Sequence, residues 1–445
     1  MKPLPTDDDP RSVAPDLSSM GSDPGPEIRD AAGAALRERF GHPDFRPGQR
    51  PIVEAMLAGR DVLAVLPTGA GKSICFQLPA LLSPRPVIVV SPLIALMHDQ
   101  VAALCGNGID AAALTSTSSE PERRRMLARL VAGGPFLLYV TPERLASKPF
   151  VQVARRARPG RIVVDEAHCI SEWGHDFRPE YRRIGRFGAA IGRPPVAAFT
   201  ATATPATRAD IARQLELRRP ADFAAPVDRP NLRWAVRRAG SMASAVTLVG
   251  EALGACENGA GLVYVPTRAL AAGCAAALRR VGITALAYHA GLDDVRRSRA
   301  QGAWLNADDS VICATSAFGM GIDHPRVRLV AHLGMPGALE AYVQEAGRAG
   351  RDGEPSRCLL LTLPGGARLH RARLRELNRS GRVAGHRRLT AMRGYVIERR
   401  CRRRAIAAYF GEDAPRCAGC DLCDARAEGR QVRPRAKLPD GHARP

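Results

Sequence analysis

Two series of short, continuous apolar runs constrain the fold of this chain more than any other feature. The first series lies at residues 62–66, 86–90, 136–140, 162–164 and 197–199, and the second lies at 261–265, 285–288, 311–314 and 329–333. Runs of valine, isoleucine and leucine that alternate with helical stretches are typical of strands buried on both faces of a parallel sheet. We therefore predict an α/β fold in which two parallel-sheet domains follow one another along the chain.

The regions around the two series complete the predicted domain organisation. A length of 445 residues is enough for about three domains. We predict a disordered N-terminal segment (1–28), a first α/β domain (29–225), a second α/β domain (226–365), a helical arginine-dense subdomain (366–425) and a basic tail (426–445). No apolar run reaches the ~18 residues needed to cross a bilayer, so the sequence predicts no membrane association.

The charge and the cysteines indicate the setting in which the protein works. The formal net charge is +21, which favours binding to nucleic acid, although a composition rich in arginine and alanine also accounts for it. The N-terminus is acidic and proline-containing and lacks a secretory signal, so we expect a cytoplasmic location. In that compartment the eleven cysteines are expected to be thiols or metal ligands rather than disulfides.

A glycine-rich loop directly follows the first apolar run. Residues 66–73 read Leu-Pro-Thr-Gly-Ala-Gly-Lys-Ser and precede a helical stretch, which is the context that a phosphate-binding loop requires. In such a loop the lysine reaches the β- and γ-phosphates and the serine hydroxyl binds Mg²⁺. We predict that ATP and Mg²⁺ are bound by Thr68, Gly69, Gly71, Lys72 and Ser73.

Two carboxylates, Asp165 and Glu166, directly follow the apolar run at 162–164. They are expected at the carboxyl edge of the sheet, where α/β proteins bind ligands. Asp165 would hold Mg²⁺, and Glu166 would orient or deprotonate the attacking water. An acidic pair at a strand end is often only a helix cap, but together with the upstream loop it favours nucleotide hydrolysis.

The second α/β domain contains the sequence Gln-Glu-Ala-Gly-Arg-Ala-Gly-Arg at residues 344–351. Its two arginines could be ordinary surface charges in a chain this rich in arginine. The spacing also suits an arginine finger, a residue that neutralises charge on the phosphoryl group during transfer. We predict that Arg351 is this finger, that Arg348 assists it, and that ATP lies between the two domains.

These segments together resemble the RecQ family of superfamily 2 helicases over about residues 36–425. The resemblance implies that both α/β domains are RecA-like. The sequence Phe-Arg-Pro-Gly-Gln at residues 45–49 is similar to the adenine-recognition motif of the family. By resemblance, Gln49 would hydrogen-bond the adenine edge and Arg46 would pack on its ring, while His42 stands where the family usually has tyrosine.

Further motifs carry the same resemblance. Residues 91–100 and 141–145 resemble the strand-gripping motifs of the first domain, 199–204 resembles the motif that couples hydrolysis to movement, and 288–292 and 314–323 resemble motifs of the second domain. The resemblance implies that His168, Thr202 and Gln344 couple the ATP site to motion.

The segment at residues 169–181 is similar to the aromatic-rich loop by which RecQ proteins sense DNA. The resemblance implies DNA contacts by Trp173, His175, Phe177 and Arg178. Stacking of bases on aromatic rings is worth ~1–3 kcal/mol per base in single-strand binders. A plainer interpretation is that Trp173 and Phe177, four residues apart, form one core face of a helix.

Four cysteines cluster near the C-terminus, at Cys401, Cys417, Cys420 and Cys423. Two overlapping Cys-x-x-Cys steps present three thiolates from one turn, and four thiolates complete a tetrahedral structural zinc site. The arginine-rich stretch 399–404 matches the zinc subdomain of the family. By resemblance, Zn²⁺ would anchor a basic helical hairpin that stabilises the fold and aids DNA binding.

The resemblance implies an ATP-dependent DNA helicase that moves 3′ to 5′ on single-stranded and tailed duplex DNA, in repair or recombination. Only 22 residues follow Cys423, too few for a winged helix or the further helical (HRDC) domain common in the family. The alternative is therefore a DNA-stimulated ATPase or annealing factor with weak unwinding. An RNA helicase would leave the four cysteines unexplained. The sequence identifies no protein partner, and a monomer is the working expectation.

Overall fold

The computed structural model describes residues 25–256, 259–316, 318, 324–364, 370, 372, 374–376, 379–413, 417 and 419–430. Most of the segment predicted to be disordered and most of the predicted basic tail lie outside these residues. The first helix already begins at Pro26, within the predicted N-terminal segment. Within the described residues, no helix is both long enough and apolar enough to span a bilayer.

The first domain is built on a seven-stranded sheet. Its strands are β1 Val62–Val65, β2 Val87–Val90, β3 Ala111–Leu114, β4 Leu137–Val140, β5 Arg161–Val164, β6 Val196–Thr200 and β7 Ala221–Ala224. Its helices are α1 Pro26–Phe40, α2 Gln49–Leu57, α3 Lys72–Leu81, α4 Ile94–Gly106, α5 Glu120–Ala132, α6 Lys148–Ala157, α7 Arg183–Ala190 and α8 Pro205–Gln214. The strand order is β3-β4-β2-β5-β6-β1-β7, and all neighbours are parallel.

The apolar runs form strands because both faces of this sheet are covered. In β1, Leu63 and Val65 pack into one core cluster, whereas Val62 and Ala64 pack into another. Successive side chains of a strand point to opposite faces, so burial of all four requires apolar residues at every position. The five strands predicted for this domain are all present.

The second domain has a six-stranded parallel sheet. Its strands are β8 Leu232–Arg238, β9 Ala260–Tyr264, β10 Ala285–Tyr288, β11 Val311–Ala314, β12 Val327–Leu333 and β13 Ser356–Thr362, in the order β10-β11-β9-β12-β13-β8. Its helices are α9 Met242–Gly254, α10 Arg268–Arg280, α11 Asp294–Leu305 and α12 Leu339–Ala346. The predicted fold class of two tandem parallel-sheet domains is confirmed, and the chain passes between the sheets after Ala224 and before Leu232.

A small helical subdomain follows, with helices α13 Arg379–Ile397, α14 Arg402–Tyr409 and α15 Asp421–Ala427. It covers the outer edge of β8. The main-chain amide of Trp234 donates to the Gly419 carbonyl at 3.1 Å, and that of Val236 donates to the Asp421 carboxylate at 3.1 Å. The subdomain therefore satisfies main-chain groups that an edge strand would otherwise leave open.

Candidate active site and nucleic-acid interface

The glycine loop turns between β1 and α3 with its lysine at the first helical position. Gly69 and Gly71 have φ angles of 89° and 73°, in the left-handed region that favours glycine. Helix α3 begins at Lys72, so its first main-chain amides face the loop. Lys72 Nζ donates to the Leu66 carbonyl at 3.2 Å. Burial lowers the pKa of Lys72, while the charges of Glu166 and Asp165 act in the opposite direction.

The predicted adenine-recognition residues lie against this loop. Arg46 Nη1 donates to the Gly69 carbonyl at 2.7 Å. Gln49 Nε2 donates to the carbonyls of Ala70 and Gly71 at 3.0 and 3.1 Å, and its Oε1 accepts from the Arg46 amide. The amide of Gln49 thus hydrogen-bonds the loop itself, and its adenine contact stays a prediction. His42 lies exposed just beyond the end of α1.

The two carboxylates lie at the carboxyl end of β5, beside the loop lysine. Glu166 has a φ of 47°, a left-handed conformation that is strained for a residue with a side chain. Burial and the neighbouring Glu166 charge raise the pKa of Asp165 to about 7. Burial alone would raise the pKa of Glu166, but the His168 ring 3.2 Å away and the Lys72 charge hold it at about 2.

The second domain brings Arg351 onto the glycine loop. A methyl group added at Gly69 would lie 3.2 Å from Arg351 Cγ, and one added at Gly347 would lie 3.8 Å from Thr68 Cβ. The charge of Arg351 also lowers the pKa of Lys72. The predicted finger and the predicted phosphate loop are therefore adjacent, although they are separated by almost 280 residues of sequence.

Arg348 lies on the inner side of the second domain and is buried. It lies near the Tyr264 hydroxyl, and its charge opposes the rise in the pKa of Tyr264 that burial causes. The segment is held by two contacts: His332 Nε2 lies 2.8 Å from the Glu345 carboxylate, and Arg229 Nη1 donates to the Gly347 carbonyl at 2.8 Å. These contacts hold residues 344–351 in place beside the glycine loop of the first domain.

A chain of contacts joins the carboxylates to the second domain. His168 Nδ1 lies 2.9 Å from Thr200 Oγ1, which donates to the Thr202 carbonyl at 3.3 Å. The His168 and His175 rings stack with centroids 4.5 Å apart and an interplanar angle of 12°. His175 Nε2 then lies 2.8 Å from Gln344 Oε1. Thr200 thus joins His168 to Thr202, and His175 joins His168 to Gln344, so the three predicted coupling residues belong to one chain of contacts.

The aromatic-rich loop presents one ring to solvent. Trp173 is 40% exposed, and the Arg387 guanidinium of α13 lies 5.2 Å from its ring centroid. Phe177 is half-buried, with the Arg182 guanidinium 5.0 Å from its ring. Arg178 donates to Asp176 and, at 3.1 Å, to the Pro92 carbonyl.

Two predicted DNA contacts thus have other partners. Arg178 braces the loop against the motif at 91–100. Burial and the His168 charge lower the pKa of His175 to about 3, consistent with its position beside the ATP site rather than on an exposed face.

The four C-terminal cysteines converge as predicted. The sulfur atoms of Cys401, Cys417, Cys420 and Cys423 all lie within 4.8 Å of one another. Tetrahedral zinc with Zn–S bonds of ~2.3 Å places its sulfurs about 3.8 Å apart, so this donor set fits Zn²⁺. Four thiolates leave no open position for substrate, which indicates a structural role.

The arginines beside this site divide into buried and exposed residues. Arg402 is fully buried and pairs with Asp421 at 3.0 Å, and Arg403 is buried and pairs with Asp228 at 2.6 Å. These two guanidinium groups are engaged inside the protein, so a DNA contact from this stretch would come from its exposed arginines. Arg399, Arg400 and Arg404 are exposed.

Comparison with known protein families gives matches along nearly the whole described chain. The DEAD/DEAH box helicase family matches residues 46–211, the helicase conserved C-terminal domain matches 245–353, and the RecQ zinc-binding family matches 368–424. The ATP-dependent DNA helicase RecQ of Bacillus subtilis (strain 168) is 40% identical over 401 residues, covering 89% of this chain and 67% of that protein. This chain belongs to the RecQ family.

Other matches agree with that assignment. The ATP-dependent DNA helicase RecQ of Pasteurella multocida (strain Pm70) is 39% identical over 399 residues, which cover 89% of this chain. The present chain spans 62% of that relative's length, which is less than two thirds. The solved structure of Mycobacterium smegmatis helicase Lhr bound to ssDNA and AMP-PNP has a TM-score of 0.57 at 22% identity, covering 84% of this chain and 53% of that one. At this identity the likeness shows the fold alone.

The structure also reveals contacts in this RecQ-family chain that the motifs did not identify. Gln100 contacts Ser73, and Arg388 Nη1 donates to the Glu172 carbonyl of the aromatic-rich loop at 2.9 Å. Gln100 is the last residue of the motif at 91–100, for which the resemblance implied strand contact and not a contact with Ser73, whereas nothing in the sequence links Arg388 to the aromatic-rich loop. Within the motif at 314–323, residues 317 and 319–323 lie outside the described part of the chain.

Proposed function

We propose that this RecQ-family protein is an ATP-dependent DNA helicase that moves 3′ to 5′ along single-stranded DNA, in repair or recombination. The observation that carries the proposal is the approach of Arg351 to the glycine loop, 3.2 Å from a methyl group built on Gly69. A nucleotide on this loop would contact both domains, so binding and hydrolysis would alter their separation. The direction of movement follows from the family resemblance.

The residues of the first domain would bind and position the triphosphate. Lys72 would neutralise the β- and γ-phosphates, and Ser73 and Asp165 would hold Mg²⁺. Mg²⁺ held by these residues would neutralise the charge that develops on the phosphates. Glu166, held ionised beside His168 and Lys72, would orient the attacking water and accept its proton.

The second domain would complete the site. Arg351 would place its guanidinium against the transferring phosphoryl group, and Arg348 would support it from the inner side of the domain. His168 stacks on His175, and His175 contacts Gln344 of the second domain. Hydrolysis of ATP beside Glu166 would therefore be transmitted to the second domain through these two contacts. We assign His175 to this coupling path.

Single-stranded DNA would be contacted by the exposed face of the aromatic-rich loop. Trp173 offers the most exposed aromatic ring of that loop, and the adjacent α13 adds exposed arginines that include Arg382 and Arg387. Base stacking on such a ring tolerates any sequence, and the cations would bind the backbone. Both features suit a motor that must pass over every base.

The first test is the ATPase rate with and without single-stranded DNA. We expect DNA to stimulate the wild-type rate and Lys72→Ala to abolish turnover, because the phosphates would lose their direct cation. Lys148→Ala removes an exposed lysine of the same domain and serves as the matched control. A wild-type rate indifferent to DNA would contradict the motor function.

The second test measures strand separation on duplexes with 3′ or 5′ tails, with and without ATP. We expect separation of the 3′-tailed duplex only with ATP. ATP hydrolysis without separation would instead support the alternative of a DNA-stimulated ATPase or annealing factor. Equal stimulation of the ATPase by RNA and DNA would argue against DNA as the substrate.

A further inference from the structure

A partly buried hydrogen-bond network reaches the serine of the glycine loop on the face of the sheet that α3 and α4 cover. Gln100 Nε2, on α4, donates to Ser73 Oγ at 3.2 Å. Tyr139, on β4, donates its hydroxyl to Gln100 Oε1 at 2.9 Å and accepts from Gln77 Nε2 at 3.0 Å. The Tyr139 hydroxyl therefore links α3, α4 and β4, and Gln100 connects it to Ser73.

The network fixes which end of the Gln100 side chain faces the serine. Tyr139 is fully buried, and burial raises the pKa of its phenol well above the ordinary range, so the hydroxyl keeps its proton. Since that proton is donated to Gln100 Oε1, the amide nitrogen of Gln100 must point toward Ser73. Gln77 is also buried and holds the phenol from its other side.

A hydroxyl has one proton and two lone pairs. The Gln100 amide occupies one lone pair of Ser73 Oγ, which fixes the rotation of the hydroxyl and leaves the second lone pair available. Mg²⁺ demands near-ideal octahedral geometry, so a ligand with a fixed orientation binds it better than a freely rotating one. Partners of this kind, one bond removed from the metal, commonly contribute 10–100-fold to metal affinity.

We propose that Gln100 is a positioning residue for the Mg²⁺ ligand Ser73, and that Tyr139 and Gln77 hold Gln100 in the required orientation. The inference rests on the ATPase activity proposed above. It gives the motif at 91–100 a second role beside strand contact, because Gln100 is its last residue. Tyr139 lies two residues before the second such motif, at 141–145, so the Tyr139–Gln100 bond links the neighbourhoods of the two motifs.

The test compares nucleotide binding with and without Mg²⁺, using a fluorescent ATP analogue and purified full-length protein. Gln100→Leu preserves bulk but removes the donor to Ser73. We expect its nucleotide affinity in EDTA to stay within about twofold of wild type, and the gain in affinity on adding Mg²⁺ to fall ~10-fold. Gln152→Leu, the same substitution at an exposed site on α6, should retain the full gain.

Tyr139→Phe provides a milder second variant, because it removes the hydroxyl bond to Gln100 Oε1 and leaves that oxygen the longer bond from Gln77 Nε2, at 3.4 Å. Its Mg²⁺-dependent gain should fall in the same direction, by about threefold. If both variants keep the wild-type gain, or lose affinity equally in EDTA, the positioning role is refuted and the network is merely structural. If wild type itself shows no gain with Mg²⁺, the proposed ATPase function fails as well, which separates the two outcomes.

Discussion

Removal of zinc should uncover the edge of the second sheet. Among the described residues, strand β8 has no strand neighbour on its outer side, and the cysteine-rich turn takes that place through the bonds from the Trp234 and Val236 amides. Gly419 and Asp421, which accept these bonds, flank Cys420, so their positions depend directly on the metal. Loss of zinc should therefore release both bonds together.

The size of the effect follows from these two bonds. A main-chain hydrogen bond that can be replaced by water contributes ~0.5–1.5 kcal/mol, so two contribute about 1–3 kcal/mol. Expressed as an equilibrium, this is ~5–150-fold in protection of the β8 amides from hydrogen exchange. The buried pair between Arg402 and Asp421 would be broken in the same event, which adds destabilisation to the packing of α14.

Hydrogen–deuterium exchange measured before and after chelation tests this reasoning. We expect peptides covering β8 to exchange ~5–150-fold faster without zinc, while β1 in the first domain keeps its protection. Cys417→Ser should reproduce the effect, and Cys105→Ser, at an exposed thiol on α4, should not. Unchanged exchange of β8 in protein shown by elemental analysis to have lost its zinc would refute the argument.

Three further predictions concern the motor. Arg351→Ala should lower the ATPase rate constant by ~10³–10⁵ with much less effect on nucleotide affinity, as measured by steady-state kinetics; a loss confined to affinity would exclude the finger role. His175→Phe and Gln344→Ala should each reduce DNA-stimulated turnover, and a double-mutant cycle should give a coupling of ~0.5–1.5 kcal/mol, because a neutral histidine makes the bond; additive effects would remove His175 from the path. Trp173→Ala should weaken binding of a labelled oligonucleotide by ~5–150-fold in fluorescence anisotropy, and an unchanged affinity would show that this ring does not stack on bases.

The sequence predicted the interior strands of both sheets well because burial on two faces leaves a local signal. Strand β3, which reads Ala-Ala-Ala-Leu, was missed because alanine is uncommon in strands and an edge position needs fewer branched side chains. Strands β7 and β8 also lie at sheet edges and carry charged residues. Strand β13 was missed for a different reason: its apolar run at 358–361 is short, lies soon after the arginine-rich motif at 344–351 and is flanked by polar residues.

In the candidate site, too, the sequence predicted what depends on neighbouring residues and missed what depends on contacts between distant segments. Each motif residue was identified from its own short segment, since loop chemistry and strand ends depend on adjacent residues. The partners of those residues come from elsewhere in the chain: Gln100 on Ser73, Arg229 on the Gly347 carbonyl, and Arg387 on Trp173. Such pairs depend on the packing of separate elements, and no spacing rule within one segment can specify them.

The contacts that cross between the domains also explain how the site could work repeatedly. The described contacts include a hydrogen bond from a neutral histidine, a bond to a main-chain carbonyl from Arg388, and the apolar stem of Arg351 against Gly69. The neutral contacts contribute on the order of 1 kcal/mol each and the Arg388 bond ~1.5–3 kcal/mol, so the closed arrangement can reopen without a large barrier. A triphosphate bridging Lys72 and Arg351 would add charge-assisted bonds, which are roughly twice as strong as neutral ones. Closure would then depend on the bound nucleotide, and its hydrolysis would release the domains.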